Sequence, residues 1–202
     1  MQLFETMRLA EGKFSRLSYH KARIKQASAQ LGFVYDENEW EQLIETLVNK
    51  YTTGVYRVKV LLNESGSLDY VVAELLVKNK FTAKLTPLTS DVNKKKLTHK
   101  TTDRKHLEHN HHTDLVLLYD RNGKLLEFDI GNLMIKEGGQ FYTPIYNEDF
   151  LRGCMRQSLI DDGKLSQKDY TINEFKEKLQ KHEIQVFLIN SLREVADVEI
   201  YL

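Results

Sequence analysis

Phe4-Glu5-Thr6-Met7-Arg8, followed by Leu17-Ser18-Tyr19-His20-Lys21-Ala22-Arg23, is the stretch on which the fold is read. Its first part alternates around Phe4 and Met7 and turns at Glu11-Gly12-Lys13, which predicts a strand ending in a hairpin-like turn. Ser18 has the chemistry to cap the helix that follows. On that helix Leu17, His20, Ile24, Ala27 and Leu31 recur at steps of three or four and share one face, and Gly32 supplies a stop. His20 therefore reads as a packed residue rather than a catalytic one. A second helix carries Trp40, Leu43, Ile44, Leu47 and Val48 on one stripe. Further out, residues 56–62 alternate as a strand, 63–67 make a polar turn containing glycine, and 70–77 return as the partner strand. Residues 1–84 are thus expected to form a small α/β domain.

Residues 78–100 change character. Lysines are dense, Pro87 is one of two prolines, and Ser90-Asp91-Val92-Asn93 reads as loop, so the domain boundary is placed at 84/85. Residues 85–202 are expected to form a larger domain. It opens with a short polar helix near 103–110 and a strand at 115–119. A turn at Arg121-Asn122-Gly123 leads to strands at 125–128 and 133–136, and a Gly138-Gly139 turn to a strand at 140–143. A helix over 149–161 follows, then one starting at Thr171, with Glu174 at capping-box spacing, and final strands at 186–190 and 198–202. No internal repeat or low-complexity tract is visible. The class is α+β in two domains, with strands outnumbering helices in the second.

The chain of 202 residues is 41% hydrophobic, enough to bury a core. Lys plus Arg and Asp plus Glu both number 29, so charge gives no reason to expect nucleic acid or an anionic membrane as partner. One cysteine, Cys154, rules out an intrachain disulfide and fits a reducing compartment. The first residues lack the regions of a signal peptide, and the apolar runs are strand-length; the expectation is a cytoplasmic protein.

A glycine-rich phosphate loop, a Gly-x-Ser-x-Gly elbow and a His-Glu-x-x-His pair are all missing from the sequence. His99, His106, His109, His111 and His112 cluster, but their spacing matches no usual zinc pattern, and a polar helix end at the surface is the preferred reading. Cys154 stands in no Cys/His context and reads as a small buried side chain.

The stronger signal is a set of pieces in order. The opening strand with its Phe-Glu-Thr, and the helix bearing His20-x-x-Arg23, resemble the start of class IV (fold-type IV) aminotransferases and aminodeoxychorismate lyases. Lys100-Thr101-Thr102-Asp103-Arg104 resembles the segment holding that family's Schiff-base lysine. Leu126-Glu127-Phe128-Asp129-Ile130-Gly131-Asn132-Leu133 resembles its carboxylate followed by small residues and Asn-Leu, with Phe128 and Asp129 as departures. Gln140-Phe141-Tyr142-Thr143-Pro144, Leu151-Arg152-Gly153-Cys154-Met155-Arg156 and Leu188-Ile189-Asn190-Ser191-Leu192 complete the series. The resemblance spans nearly the whole chain. Family members usually carry another strand and loop ahead of Phe-Glu-Thr, whereas this sequence starts at Met1 almost on the motif, which leaves the substrate side less determined than the cofactor side.

The resemblance implies pyridoxal 5'-phosphate as cofactor, with Lys100 joined to it and its freed amine moving the substrate's Cα proton. It gives Arg23 the cofactor phosphate, which a guanidinium can fork with two hydrogen bonds. Glu127 would pair with the pyridine nitrogen; Asn132 is structural. Cys154 and Met155 would hold the phosphate through amides at a helix N-terminus, and Asn190 and Ser191 would line the same site. Arg8 and Arg57 are candidates for a substrate carboxylate. Met155 and Asn190-Ser191-Leu192 lie closer to the lyase branch, which implies conversion of 4-amino-4-deoxychorismate to 4-aminobenzoate and pyruvate, by a homodimer acting on a small amino substrate. The alternatives are a class IV aminotransferase for D-amino or branched-chain amino acids, or a non-catalytic binding module.

Overall fold

The structure, a computed structural model, describes residues 1–88 and 92–202. Its contacts divide the chain into two compact units, Met1–Val77 with His99–Asp103, and Lys78–Thr98 with Arg104–Leu202. Position 84/85 falls inside a strand of the second unit, and Lys100 groups with the first. Of the expected loop at 90–93, Ser90 and Asp91 lie outside the described residues.

In the first unit, strand β1 (Leu3–Ala10) leads through β2 (Lys13–Phe14) into helices α1 (Leu17–Leu31) and α2 (Glu37–Lys50), then strands β3 (Val55–Leu62) and β4 (Leu68–Glu74). The sheet order is β2-β1-β3-β4, and β1 pairs antiparallel with β3 along its whole length. Because side chains alternate across a strand, Leu3, Met7 and Leu9 share one face with Val58, Val60 and Leu62. Ile24 and Ala27 of α1 and Trp40, Ile44 and Leu47 of α2 join them in the core. Ser18 does not cap α1. The cap is Arg16 in a left-handed conformation, and Ser18 already lies in the first helical turn. Asp36 caps α2, its carboxylate accepting from the amides of Asn38 and Glu39. The returning strand β4 ends at Glu74, and Leu76 and Val77 beyond it are exposed.

The second unit opens on strand β5 (Lys80–Pro87), in the lysine-dense stretch where the domain boundary was placed and no strand was expected. Phe81 and Ala83 are buried and Leu85 packs on the core, a period-two apolar face set among lysines that dominate the local composition. Helix α3 (Lys94–Thr98) follows, and the helix expected near 103–110 is a single 3-10 turn, Lys105–Leu107. Strands β6 (Leu115–Tyr119), β7 (Leu125–Phe128), β8 (Gly131–Glu137) and β9 (Gln140–Thr143) come next. Helix α4 (Cys154–Asp161), strand β10 (Ser166–Gln167), helix α5 (Ile172–Gln180) and strands β11 (Ile184–Asn190) and β12 (Glu194–Tyr201) complete the unit. The sheet runs β10-β9-β8-β11-β12-β5-β6-β7, and β7 also pairs with β8. That extra pairing closes six strands into a ring around Leu117, Phe128, Leu133, Ile135 and Leu188, with Tyr170 and Phe175 packed into the same core.

The helix expected from 149 starts only at Cys154. Leu151 and Gly153 give their backbone groups to side chains of β7 and β8 instead, which keeps this segment out of the helix.

Candidate active site

In the first unit Lys100 follows α3 and is tied to the free edge of β1. Thr101 bridges Leu3 in antiparallel fashion, the Phe4 amide donates to the Lys100 carbonyl at 3.0 Å, and the Thr102 amide donates to the Gln2 carbonyl at 2.9 Å. The Lys100 amine lies 4.8 Å from the centre of the Phe4 ring, and the Lys59 amine 4.5 Å from the same ring. The backbone thus fixes the base of the lysine while its amine sits over an aromatic face.

Arg23 projects from α1 onto Glu5 of β1, with Nε donating to Oε1 at 2.8 Å and Nη2 to Oε2. His20, one turn earlier, donates from Nδ1 to Glu5 Oε2 at 2.6 Å. Glu5 and His20 are fully buried. Burial alone would raise the Glu5 carboxyl, but the Arg23 charge and the His20 hydrogen bond outweigh it and hold it at about 2. Burial lowers His20, opposed by Glu5 and reinforced by the charges of Arg23 and Lys100. The group is therefore a carboxylate between a guanidinium and a neutral imidazole. Glu5 was not singled out from the sequence, although it falls in register with Leu3, Met7 and Leu9 on the buried face.

Arg8 and Arg57 are direct cross-strand partners, so their side chains leave the same face of the sheet, and Lys59 alternates with Arg57 onto that face too. Two like charges placed opposite each other favour an anion there.

In the second unit Glu127 of β7 pairs across to Asn132 of β8, and both side chains are buried. The Leu151 amide donates to Glu127 Oε1 at 3.2 Å, Asn132 Nδ2 donates to the Leu151 carbonyl at 2.8 Å, and the Gly153 amide donates to Asn132 Oδ1 at 2.9 Å. Gly153 then caps α4 with no side-chain bond, so amides of the first turn, Cys154 and Met155 among them, head a helix with its positive dipole end. A Cβ on Gly153 would come within 2.2 Å of Asn132 Oδ1, so only glycine fits. Cys154 is buried and free of any disulfide.

Arg156, which sequence reasoning passed over, is buried in the same turn. It donates from Nη2 to the Pro144 carbonyl and to Gln167 Oε1, both at 2.8 Å, and its Nε has no partner. Burial, with Arg152 nearby, lowers it to about 10. Asn190 at the end of β11 accepts from the amides of Leu192 and Arg193 and donates to the Ile130 carbonyl, holding the turn that carries the buried Ser191.

The histidine cluster is not a plain surface feature. The His109 side chain is 5% exposed, with Nε2 3.4 Å from Asp129 Oδ2, and the His111 ring lies tilted beside it at 4.3 Å between centres. Burial, the largest influence, raises Asp129. Among the described residues the five histidines form no three-ligand metal group. Of the two departures after Glu127, Phe128 packs in the ring core and Asp129 turns to His109.

Taken separately, the buried carboxylate and the amide donors at a helix start in the second unit fit the ring nitrogen and phosphate of a phosphorylated pyridine aldehyde, and the anchored lysine of the first unit fits its aldehyde. Residues 2–201 match the family described as class IV aminotransferases, and the chain belongs to that family of pyridoxal-phosphate enzymes. Among curated proteins it is 29% identical to the "Putative aminodeoxychorismate lyase" of Schizosaccharomyces pombe, over 96% of this chain and 87% of that one. Its fold is similar to that of a "putative amino-acid aminotransferase" from Mesorhizobium loti, with TM-score 0.84, 24% identity and 99% of each chain covered. It is also similar to a "putative 4-amino-4-deoxychorismate lyase" from Haemophilus somnus, with TM-score 0.73, 20% identity and coverage of 96% and 97%. These likenesses establish the fold-type IV architecture.

Proposed function

We propose that this enzyme is a lyase that converts 4-amino-4-deoxychorismate to 4-aminobenzoate and pyruvate, a step toward folate. The observation that carries this reading is the 29% identity, over almost the whole chain, to the relative bearing the lyase name. Met155 and the Asn190-Ser191-Leu192 segment lean the same way. The reaction is a net elimination: the C–O bond to the enolpyruvyl group breaks, a ring proton is lost, and the enol gains a proton to become pyruvate. Atoms balance without water or oxidant.

Pyridoxal phosphate supplies, when bound, an electron-accepting ring joined to the substrate's amine. Lys100 is assigned as the residue to which the cofactor attaches, and its freed amine takes the proton from the amine-bearing carbon. Glu127 keeps a proton on the pyridine nitrogen, a role suited to a buried acid. Arg23, the amides of Cys154 and Met155 and the Ser191 hydroxyl are assigned to the phosphate, with Asn190 as the brace of the last turn. Arg8 and Arg57, side by side on one sheet face, are assigned to substrate carboxylates. The same reading takes the working form as a homodimer in the cytoplasm. No helix among the described residues is long and apolar enough to cross a membrane.

Three measurements test the proposal. Purified protein incubated with aminodeoxychorismate should release pyruvate, and K100A should abolish the release. Keto-acid exchange with D-amino or branched-chain amino acids, without pyruvate release, would replace the lyase reading by the aminotransferase one. Borohydride reduction followed by peptide mapping should place the pyridoxyl group on Lys100.

A further inference from the structure

We propose that Asn132 is a positioning residue for the cofactor: its carboxamide locks the first turn of α4 to the Glu127 carboxylate. The inference rests on the reading of Glu127 and that helix start as cofactor-binding groups.

Glu127 and Asn132 face each other across β7 and β8, so their side chains leave the sheet on the same side. Both reach the segment ahead of α4. Leu151 is held at its amide by Glu127 and at its carbonyl by Asn132, and the Asn132 oxygen also takes the Gly153 amide. One peptide segment is therefore clamped at three points by two neighbouring side chains. The clamp has no slack, because a single methyl on Gly153 would overlap the Asn132 oxygen. Leu151 and Asn132 are buried, so the groups Asn132 satisfies would lose their partners if it were removed. A shift of the helix start would then pull the Leu151 amide from Glu127. The carboxylate assigned to the ring nitrogen and the amides assigned to the phosphate are thus set at a fixed spacing by one carboxamide.

This role is distinguishable from simple support of the fold. Wild type and N132A are titrated with pyridoxal phosphate and, separately, with pyridoxal, which has the ring and aldehyde but no phosphate. The preference for the phosphorylated form should fall at least about tenfold in N132A, by analogy with residues that orient ligands from behind. Thermal melts run alongside. A variant that melts lower yet keeps its preference within about twofold would show Asn132 to be structural only and overturn the proposal. If N132A does not fold, N132D serves instead. It is isosteric and keeps an acceptor for Gly153, but turns an oxygen toward the Leu151 carbonyl, and the same loss of preference is expected. Wild-type protein without any preference for the phosphorylated form, or labelled by borohydride on another lysine, would instead sink the underlying site assignment.

Discussion

At the scale of single residues, the Glu5 site holds a buried carboxylate, guanidinium and imidazole together. A buried carboxylate is stable only when paired, and Arg23 and His20 supply the pairing. The Glu5 carboxyl is held at about 2 rather than the ordinary 4.5. A depressed acid stabilises the fold in full above its unfolded pKa and loses that contribution as pH falls through the folded one. Stability should therefore fall by about 3 kcal/mol as pH drops through the window bounded by those two values, and E5Q should lack that loss. At neutral pH E5Q should be less stable by about 3 kcal/mol, because Arg23 loses its counter-charge. Denaturant unfolding as a function of pH checks both. His20 works in the same direction at higher pH. Its lowered pKa means that acidification below its ordinary 6.5 charges the unfolded chain first and costs stability. His20 was legible as a packed residue from its helical spacing. Glu5 was not, since an acid in a strand reads as solvent-facing until the register of its neighbours is counted.

At the scale of elements, strands β6, β7 and β9 follow the bounds expected for them, since short apolar runs between turn residues leave little choice. The departures have local causes. Strand β5 was hidden because its apolar residues Phe81, Ala83 and Leu85 alternate with Thr82 and Lys84, which raised the apparent polarity of the whole segment. Helix α4 starts late because residues 151–153 bond to β7 and β8, a long-range contact that no local pattern reveals. For the same reason motif order proposes Lys100, Arg23 and Glu127 as candidates but is silent on Arg156 and on the clamp at Gly153. The clamp predicts non-additivity. G153A should be strongly destabilising in the wild-type background, and much less so together with N132A, which removes the overlapping oxygen. Melting temperatures of the two single variants and the double one test this. Elsewhere the cap of α2 should behave independently, with D36A costing about 1 kcal/mol.

At the scale of the molecule, the sheet of the first unit is open at its β4 edge, whereas six strands of the second close on themselves. The architecture was legible as α+β with two parts, but the ring closure was not, because the β7–β8 pairing that completes it is a tertiary fact. Ligand linkage gives a whole-molecule prediction. Pyridoxal phosphate at about 100 times its dissociation constant should stabilise the folded enzyme by about 2.7 kcal/mol, read as a rise in melting temperature, and pyridoxal should do less.

Trp40 is the chain's single tryptophan, and it sits in the core of the first unit at 1% exposure. Its fluorescence is therefore a label already built into one half of the protein. Emission tracks the melting of the α1–α2 layer alone, while far-ultraviolet dichroism averages over both halves. Comparing the two curves asks, without any chemical modification, whether the enzyme comes apart in one step or two.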